Sequence, residues 1–425
     1  MTTAEKLSRY VLPTYARFPI APVRGEGTIL WDENDVRYLD FCSGLATCTL
    51  GHGNAKITET LARQGAELIH CSNLYQIRQQ GELAECLVEE CVGLPGKVFF
   101  SNSGAEANDG LIKLARRFGH ARPDKRGQAR YEVLTFTSSF HGRTLGSLAA
   151  TGQTKVQEGF DPLLPGFRHL DFNDALALQE AIRPETAAIL LEPIQGEGGI
   201  HVAQRDFLLA VDRLCKEHDL LLLFDEIQCG LGRAGNMAGW RTIEPEIEPD
   251  GISWAKGLGG GFPIGGFWVS DRFLGDETTP LFTLLGPGSH GSTYGGTPLA
   301  CAVALTVLGE VLAHGLPQRA LDHGARIRKE IASWHHPAIT EVRGMGLLLG
   351  VGLRTAELTV PEGVAPSIHL SRQLAAGGLL SPPAGTETVR LMPPLTVSEA
   401  EIAEALAIFK SVLDAVTSVG VHSEN

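Results

Sequence analysis

Leu220-Leu221-Leu222-Leu223-Phe224 is an unbroken apolar run closed by Asp225. Without alternation, such a run predicts a strand buried on both faces, as in a parallel sheet. Shorter apolar runs recur at residues 98–100, 133–137 and 187–191. Helical spacing lies between them: residues 105–118 read as a helix, and Phe207, Val211, Leu214 and Cys215 form an apolar stripe leading into the Leu220 run. This alternation predicts an α/β domain with a mostly parallel sheet flanked by helices, over residues 61–315. The tail, residues 316–425, has a different texture. It predicts a helix over 320–334, a strand over 347–351, a helix over 366–376, strands at 379–380 and 389–391, and a last helix. Ser398 with Glu401 is a capping box, and Ile402, Leu406, Phe409, Leu413 and Val416 are the stripe of that helix. The tail is therefore expected to be a small α+β unit.

Composition narrows the function classes. The chain has 425 residues, which suits two or three domains. Its formal net charge is −13 and no basic cluster stands out, which argues against nucleic acid or an anionic membrane as a partner. No run of 18 apolar residues exists to span a membrane. The first 18 residues carry Glu5, Lys6, Arg9 and Arg17 and do not read as a secretory signal. The eight cysteines form no CxxC pair and are expected to be reduced and buried. Cytoplasm is the expected compartment.

The chemistry concentrates in two segments. Lys256 stands in Ile252-Ser253-Trp254-Ala255-Lys256-Gly257-Leu258-Gly259-Gly260-Gly261. Apolar residues on one side favour a neutral, nucleophilic amine, and the glycines let a ligand approach the backbone. That suits a lysine forming a Schiff base with pyridoxal phosphate (PLP). A lysine ending a strand at a solvated loop is the bland alternative. Asp225 closes the strongest strand, where open α/β sheets bind ligands. Its carboxylate needs a cationic partner, which a protonated pyridinium nitrogen would supply; a turn-capping Asp is the bland alternative. Two other patterns mislead. Gly230-Leu231-Gly232-Arg233-Ala234-Gly235 fits GxGxxG, yet Asn236-Met237-Ala238-Gly239 after it is a poor helix start, so a dinucleotide site is not expected. Cys215 and His218 are spaced like metal ligands, but no second pair accompanies them, so no metal is expected.

Several ordered blocks resemble those of class III PLP-dependent aminotransferases of the type I fold. They are Tyr38-Leu39-Asp40-Phe41, Leu50-Gly51-His52, Asn102-Ser103-Gly104-Ala105-Glu106-Ala107-Asn108, Phe140-His141-Gly142-Arg143, Glu192-Pro193-Ile194-Gln195-Gly196-Glu197-Gly198-Gly199 and His290-Gly291-Ser292-Thr293-Tyr294-Gly295-Gly296. The resemblance implies that residues 1–60 join the tail in a discontinuous small domain. It implies that Lys256 binds PLP and shuttles the proton, with Asp225 on the ring nitrogen and Gln228 on the ring hydroxyl. Glu226 and Ile227 belong to the same cofactor-binding stretch. Gly104 and Ala105 would hold the phosphate by their amides, joined by Thr293 from a second subunit, so a homodimer is implied. Phe140 would cover the ring. Arg143 and Ser292 would meet amino acid and 2-oxo acid substrates, and Glu197 would mask Arg390 until a carboxylate arrives. The donor stays open among N-acetylornithine, first in line, and succinylornithine, ornithine, 4-aminobutyrate and acetyl-lysine. A PLP-binding protein without activity is the reading from another class. Asn54, Thr297 and Ala234 depart from the family pattern.

Overall fold

The computed structural model describes residues 1–276 and 278–417. The last residues of the expected tail unit, 418–425, lie outside the described residues. In chain order the strands are β1 (Pro22–Glu26), β2 (Ile29–Asp32), β3 (Arg37–Asp40), β4 (Gly96–Ser101), β5 (Glu132–Phe136), β6 (Phe167–Leu170), β7 (Thr186–Leu191), β8 (Ile194–Gln195), β9 (His201–Val202), β10 (Leu221–Asp225), β11 (Gly251–Trp254), β12 (Gly265–Ser270), β13 (Ile339–Met345), β14 (Leu348–Leu353), β15 (Leu379–Leu380) and β16 (Thr388–Leu391).

Seven of them form the central sheet, in the order β4-β12-β11-β10-β7-β5-β6. β10 lies between β7 and β11, parallel to both, and all its residues are buried. Burial on both faces explains why its sequence does not alternate. Only β12 runs against its neighbours β4 and β11. The expected mostly parallel sheet is present, with helices such as Gly104–Ala121 and Arg205–His218 packed on it. Phe207, Val211, Leu214 and Cys215 are buried, as their spacing predicts.

The tail contains the expected elements. Helix Glu399–Val416 opens with the Ser398/Glu401 capping box, and Ile402, Leu406, Phe409, Leu413 and Val416 are buried. β13, β14 and β16 form an antiparallel sheet. The two chain ends meet in another sheet, where Leu379 of β15 pairs in parallel with Leu39 of β3. A boundary at residue 60 falls inside helix Ala55–Glu67. That helix packs on helix Pro298–Ala313, and Thr60 meets Thr306 at 2.8 Å.

Helix Pro298–Ala313 has no apolar stripe to read, because Ala300 to Ala304, Val307, Leu308 and Val311 are buried nearly all round it. Among the described residues no single helix is long and apolar enough to cross a membrane. The cysteines are free, but Cys42, Cys48, Cys71 and Cys86 are only partly buried. Asn54 and Thr297 both serve as N-caps: Asn54 Oδ1 accepts from the amides of Lys56 and Ile57, and Thr297 Oγ1 accepts from the amide of Ala300. Both residues thus give their helices a side-chain cap.

Candidate active site

The C-terminal ends of the central strands frame a cavity of about 430 Å³. Its lining includes Gly104, Ala105, Phe140, Arg143, Glu197, Asp225, Ile227, Gln228 and Lys256. Lys256 stands two residues past the end of β11 and adopts a left-handed backbone, with φ of 36°. A non-glycine residue in that region is strained and held there by its surroundings. Burial lowers the ammonium pKa, while Glu197 beside it acts in the opposite direction.

Asp225, at the end of β10, is fixed on both oxygens. Oδ1 accepts from the amide of Ile227 at 3.0 Å. Oδ2 accepts from Asn108 Nδ2 at 2.7 Å and meets His141 Nδ1 at 2.8 Å. Asn108 is itself oriented by Ser253 Oγ, which donates to its Oδ1 at 2.6 Å. Burial opposes a charge on His141, but the Asp225 hydrogen bond and charge outweigh it and raise the imidazole pKa. Glu192, at the end of β7, lines the cavity and accepts from the amides of Phe140 and Gly196. Burial pushes its carboxyl up to about 7.

Sequence reasoning assigned no role to Asn108, His141 or Glu192. The signals were present: an Asn among apolar residues of a helix needs a partner, and Glu192 closes an apolar strand as Asp225 does. Glu226 is not brought into the cavity. Its carboxylate turns away and accepts from the amides of Gly239 and Trp240, both at 2.7 Å, and burial pushes it up to about 7.

Glu197 and Arg390 meet in a bidentate pair, with Arg390 Nη1 donating to Oε1 at 2.6 Å and Nη2 to Oε2 at 3.1 Å. Burial works against the Glu197 charge, but Arg390 and Lys256 overcome it and hold the carboxyl at about 2. Gln228 Nε2 donates to the same carboxylate at 3.3 Å. The glycines beside Glu197 are tightly packed. A Cβ on Gly196 would overlap the Gln228 side chain, and one on Gly198 would overlap the Ser138 carbonyl. They permit close approach, so any swing of Glu197 belongs to its side chain and not to the backbone.

Arg143 lies at the cavity mouth, exposed, with its guanidinium 5.5 Å from the Phe140 ring centre. Among the described residues no carboxylate pairs with it. Ser292 and Thr293 do not line this cavity. Ser292 Oγ accepts from Asn102 Nδ2 at 3.1 Å, one residue behind the lining, and Thr293 is exposed. The GxGxxG stretch forms a turn, with φ of 92° at Gly232 and 107° at Gly235, and no helix starts there. Cys215 packs in the core, and no metal-ligand cluster occurs among the described residues.

These residues fit pyridoxal phosphate. An amine disfavoured as ammonium faces a fixed carboxylate across a cavity of suitable size. The first amides of helix Gly104–Ala121 have no acceptor within the helix, and its dipole favours an anion there. The fold and the site together define a type I PLP-dependent enzyme. The family model for class III aminotransferases matches residues 10–413, and the chain belongs to that family. It is 43% identical over 420 residues to the acetylornithine aminotransferase of Thermosynechococcus vestitus, covering 97% of each chain. It is 44% identical to that of Caldanaerobacter subterraneus, covering 97% of this chain and 99% of the relative. Among solved structures, the ornithine aminotransferase of Toxoplasma gondii superposes with a TM-score of 0.87 at 30% identity, covering 97% and 94% of the two chains. The acetylornithine aminotransferase of Elizabethkingia anophelis gives 0.81 at 29%, covering 97% and 98%.

Proposed function

We propose that this chain moves the terminal amino group of N-acetylornithine to 2-oxoglutarate, giving N-acetylglutamate semialdehyde and glutamate, a step of arginine biosynthesis. The observation that carries the reading is one cavity lined by both Lys256 and an Asp225 with both oxygens engaged, in a chain 40–44% identical over nearly its whole length to acetylornithine aminotransferases. When bound, PLP supplies an aldehyde carbon that exchanges amines and a ring that withdraws electrons. Lys256 would hold the group through its Nζ and would serve as the base that moves the substrate proton. Asp225 would hold the ring nitrogen by its charge. The Gly104 and Ala105 amides would take the phosphate, with the Thr293 hydroxyl of a second copy. Phe140 and Ile227 would hold the ring by apolar contact, and Gln228 would bond its hydroxyl. The Glu226 carboxylate buttresses the loop at Gly239.

Arg143, joined by Ser292, would take the carboxylate far from the reacting amine. Arg390 takes the carboxylate next to the reacting carbon in glutamate and 2-oxoglutarate. N-acetylornithine has no such carboxylate, and Glu197 then neutralises Arg390, so that the guanidinium is not buried without a partner. The working unit is a homodimer, and a cytoplasmic location goes with this reading. A panel of donors with 2-oxoglutarate as acceptor tests it, with N-acetylornithine expected to give the highest kcat/KM. Faster turnover of ornithine or 4-aminobutyrate would overturn the donor and keep the reaction class. No turnover of any donor by PLP-loaded protein would overturn both.

A further inference from the structure

The turn of the β8–β9 hairpin, residues 196–200, is seated on one face of the sheet formed by β13, β14 and β16. The register of that sheet explains the seat. Arg343 of β13, Gly350 of β14 and Arg390 of β16 stand opposite one another, so the two arginine side chains share a face with a gap between them. Ile200 fills the gap: a Cβ on Gly350 would come within 2.9 Å of the Ile200 side chain. The arginines grip the turn from either side. Arg390 Nη1 donates to the carbonyl of Gly196 at 3.1 Å, besides its pair with Glu197. Arg343 Nε donates to the carbonyl of Gly199 at 2.6 Å, and its Nη2 donates to Thr388 Oγ1 at 2.7 Å. Its Nη1 meets the exposed Glu341 at 2.6 Å. Arg343 thus ties Gly199, two residues past Glu197, to Thr388, two residues before Arg390. The backbone so held is strained. Ile200 is fully buried with φ of 60°, a region that β-branched residues rarely enter.

We infer that Arg343 is a positioning residue for the exchange between the two substrates: it holds the backbone of the turn in place when the Glu197 side chain gives up Arg390 to a substrate carboxylate. The inference rests on the proposed roles of Glu197 and Arg390. Two states of the site make the argument. With N-acetylornithine the Glu197–Arg390 pair stays closed, and Arg390 itself pins the turn through two carboxylate oxygens and one carbonyl. With glutamate or 2-oxoglutarate that pair opens. The turn then keeps one bond from Arg390, at Gly196, and the Arg343 bond at Gly199. The second does not depend on what occupies the cavity, because Arg343 is oriented by Thr388 and Glu341 and does not line the cavity. Without it the strained turn would relax around Ile200, carry the Gly196 carbonyl with it and drag the Arg390 guanidinium off the substrate carboxylate. Arg343 therefore matters most for the substrate that opens the pair.

The test measures the two half-reactions of PLP-loaded protein separately, by stopped flow with glutamate and with N-acetylornithine. In Arg343→Met the ratio of the glutamate rate to the N-acetylornithine rate should fall roughly tenfold, within what a misplacement of about 1 Å can cost. Arg343→Lys should recover part of the ratio, since its ammonium can still donate to the Gly199 carbonyl. An equal fall in both half-reactions would make Arg343 merely structural and overturn the inference. A second readout needs no cofactor: in Arg343→Met, hydrogen exchange over residues 194–202 should quicken while the central sheet keeps its protection, and unchanged exchange there would also overturn it. If Arg343→Met does not fold, Thr388→Val decides, because it keeps the shape of the strand and removes the acceptor that orients Arg343. It should move the ratio the same way, and an unmoved ratio would overturn the inference. Arg390→Met tells this failure from that of the underlying reading: if it slows both half-reactions equally, the role of Arg390 is wrong, and the role of Arg343 falls with it.

Discussion

At the scale of single residues, charges in this site are set by what surrounds them. Asp225 has both oxygens engaged by three donors, whereas burial pushes Glu192 and Glu226 up to about 7, against the amide hydrogen bonds that pull them down. Lys256 is displaced the other way, toward the neutral amine that attack requires. Lys256→Ala should therefore lose more than about 10³-fold in turnover, the share of a positioned acid–base group, yet still bind some PLP through Asp225 and the helix amides. Product assays alongside cofactor absorbance check this, and near-normal turnover would remove Lys256 from the chemistry. Arg143 is exposed in the single chain, so its loss should cost about 1.5–3 kcal/mol, the range for hydrogen bonds to a charged group. The kcat/KM for both N-acetylornithine and 2-oxoglutarate should fall, and equal values for wild type and Arg143→Ala would exclude it. Glu197 gives a pH test. Its folded carboxyl sits at about 2, below the ordinary 4.5, so it contributes stability that is full above pH 4.5 and lost as pH falls toward 2. That contribution is at most about 3 kcal/mol. The melting-temperature gap between wild type and Glu197→Gln should close across that window; a constant gap would mean the pair adds nothing.

At the scale of elements, strand ends carry the chemistry and glycines let loops approach them. β10 was legible because an apolar run of its length, closed by an acid, has few other readings. Helix Glu399–Val416 was legible because its cap and its stripe agree. β6 and β12 were not: β6 is half-buried with mixed chemistry, and β12 opens on two glycines. The Asn108–His141–Asp225 cluster was only half legible, because side chains far apart in sequence meet through sheet order, which one sequence does not print. The β8–β9 hairpin makes the glycine point testable. A Cβ on Gly198 meets the backbone at Ser138, which cannot move aside, so Gly198→Ala should cost about 1–3 kcal/mol of stability. A Cβ on Gly196 meets the end of a flexible side chain, Gln228, so Gly196→Ala should leave melting nearly unchanged and weaken PLP binding instead. Calorimetry with a PLP titration separates the two, and identical behaviour of both variants would show that contact type does not decide the outcome.

At the scale of the whole molecule, the proposed homodimer would bring Thr293 of a second copy to the cavity. The segment carrying it is rigidly built. Asn73 Nδ2 donates to the carbonyls of Ser292 and Gly295 at 3.1 and 3.0 Å, Gln80 Nε2 donates to that of Gly296 at 2.7 Å, and the rings of His70 and Tyr294 lie 5.1 Å apart. Yet this ridge leaves Leu74 89% exposed, Tyr75 69%, Tyr294 63% and Ile69 58%. A stiff ridge of large apolar side chains around an exposed threonine is poorly suited to water and well suited to a second copy of the chain. An isologous contact would place each ridge against its partner, so that one docking event would complete two cavities. Two variants separate assembly from chemistry. Leu74→Asp puts a charge in the contact, so it should shift the protein toward monomer in sedimentation and release PLP at the same time. Thr293→Ala should stay dimeric and lose only a hydroxyl to the phosphate, about 1.5–3 kcal/mol, or roughly ten- to a hundredfold in retention. Wild-type protein that sediments as a monomer while holding PLP fully would sink the shared site. So would a Leu74→Asp monomer that keeps its cofactor, because the phosphate would then need nothing from a second copy.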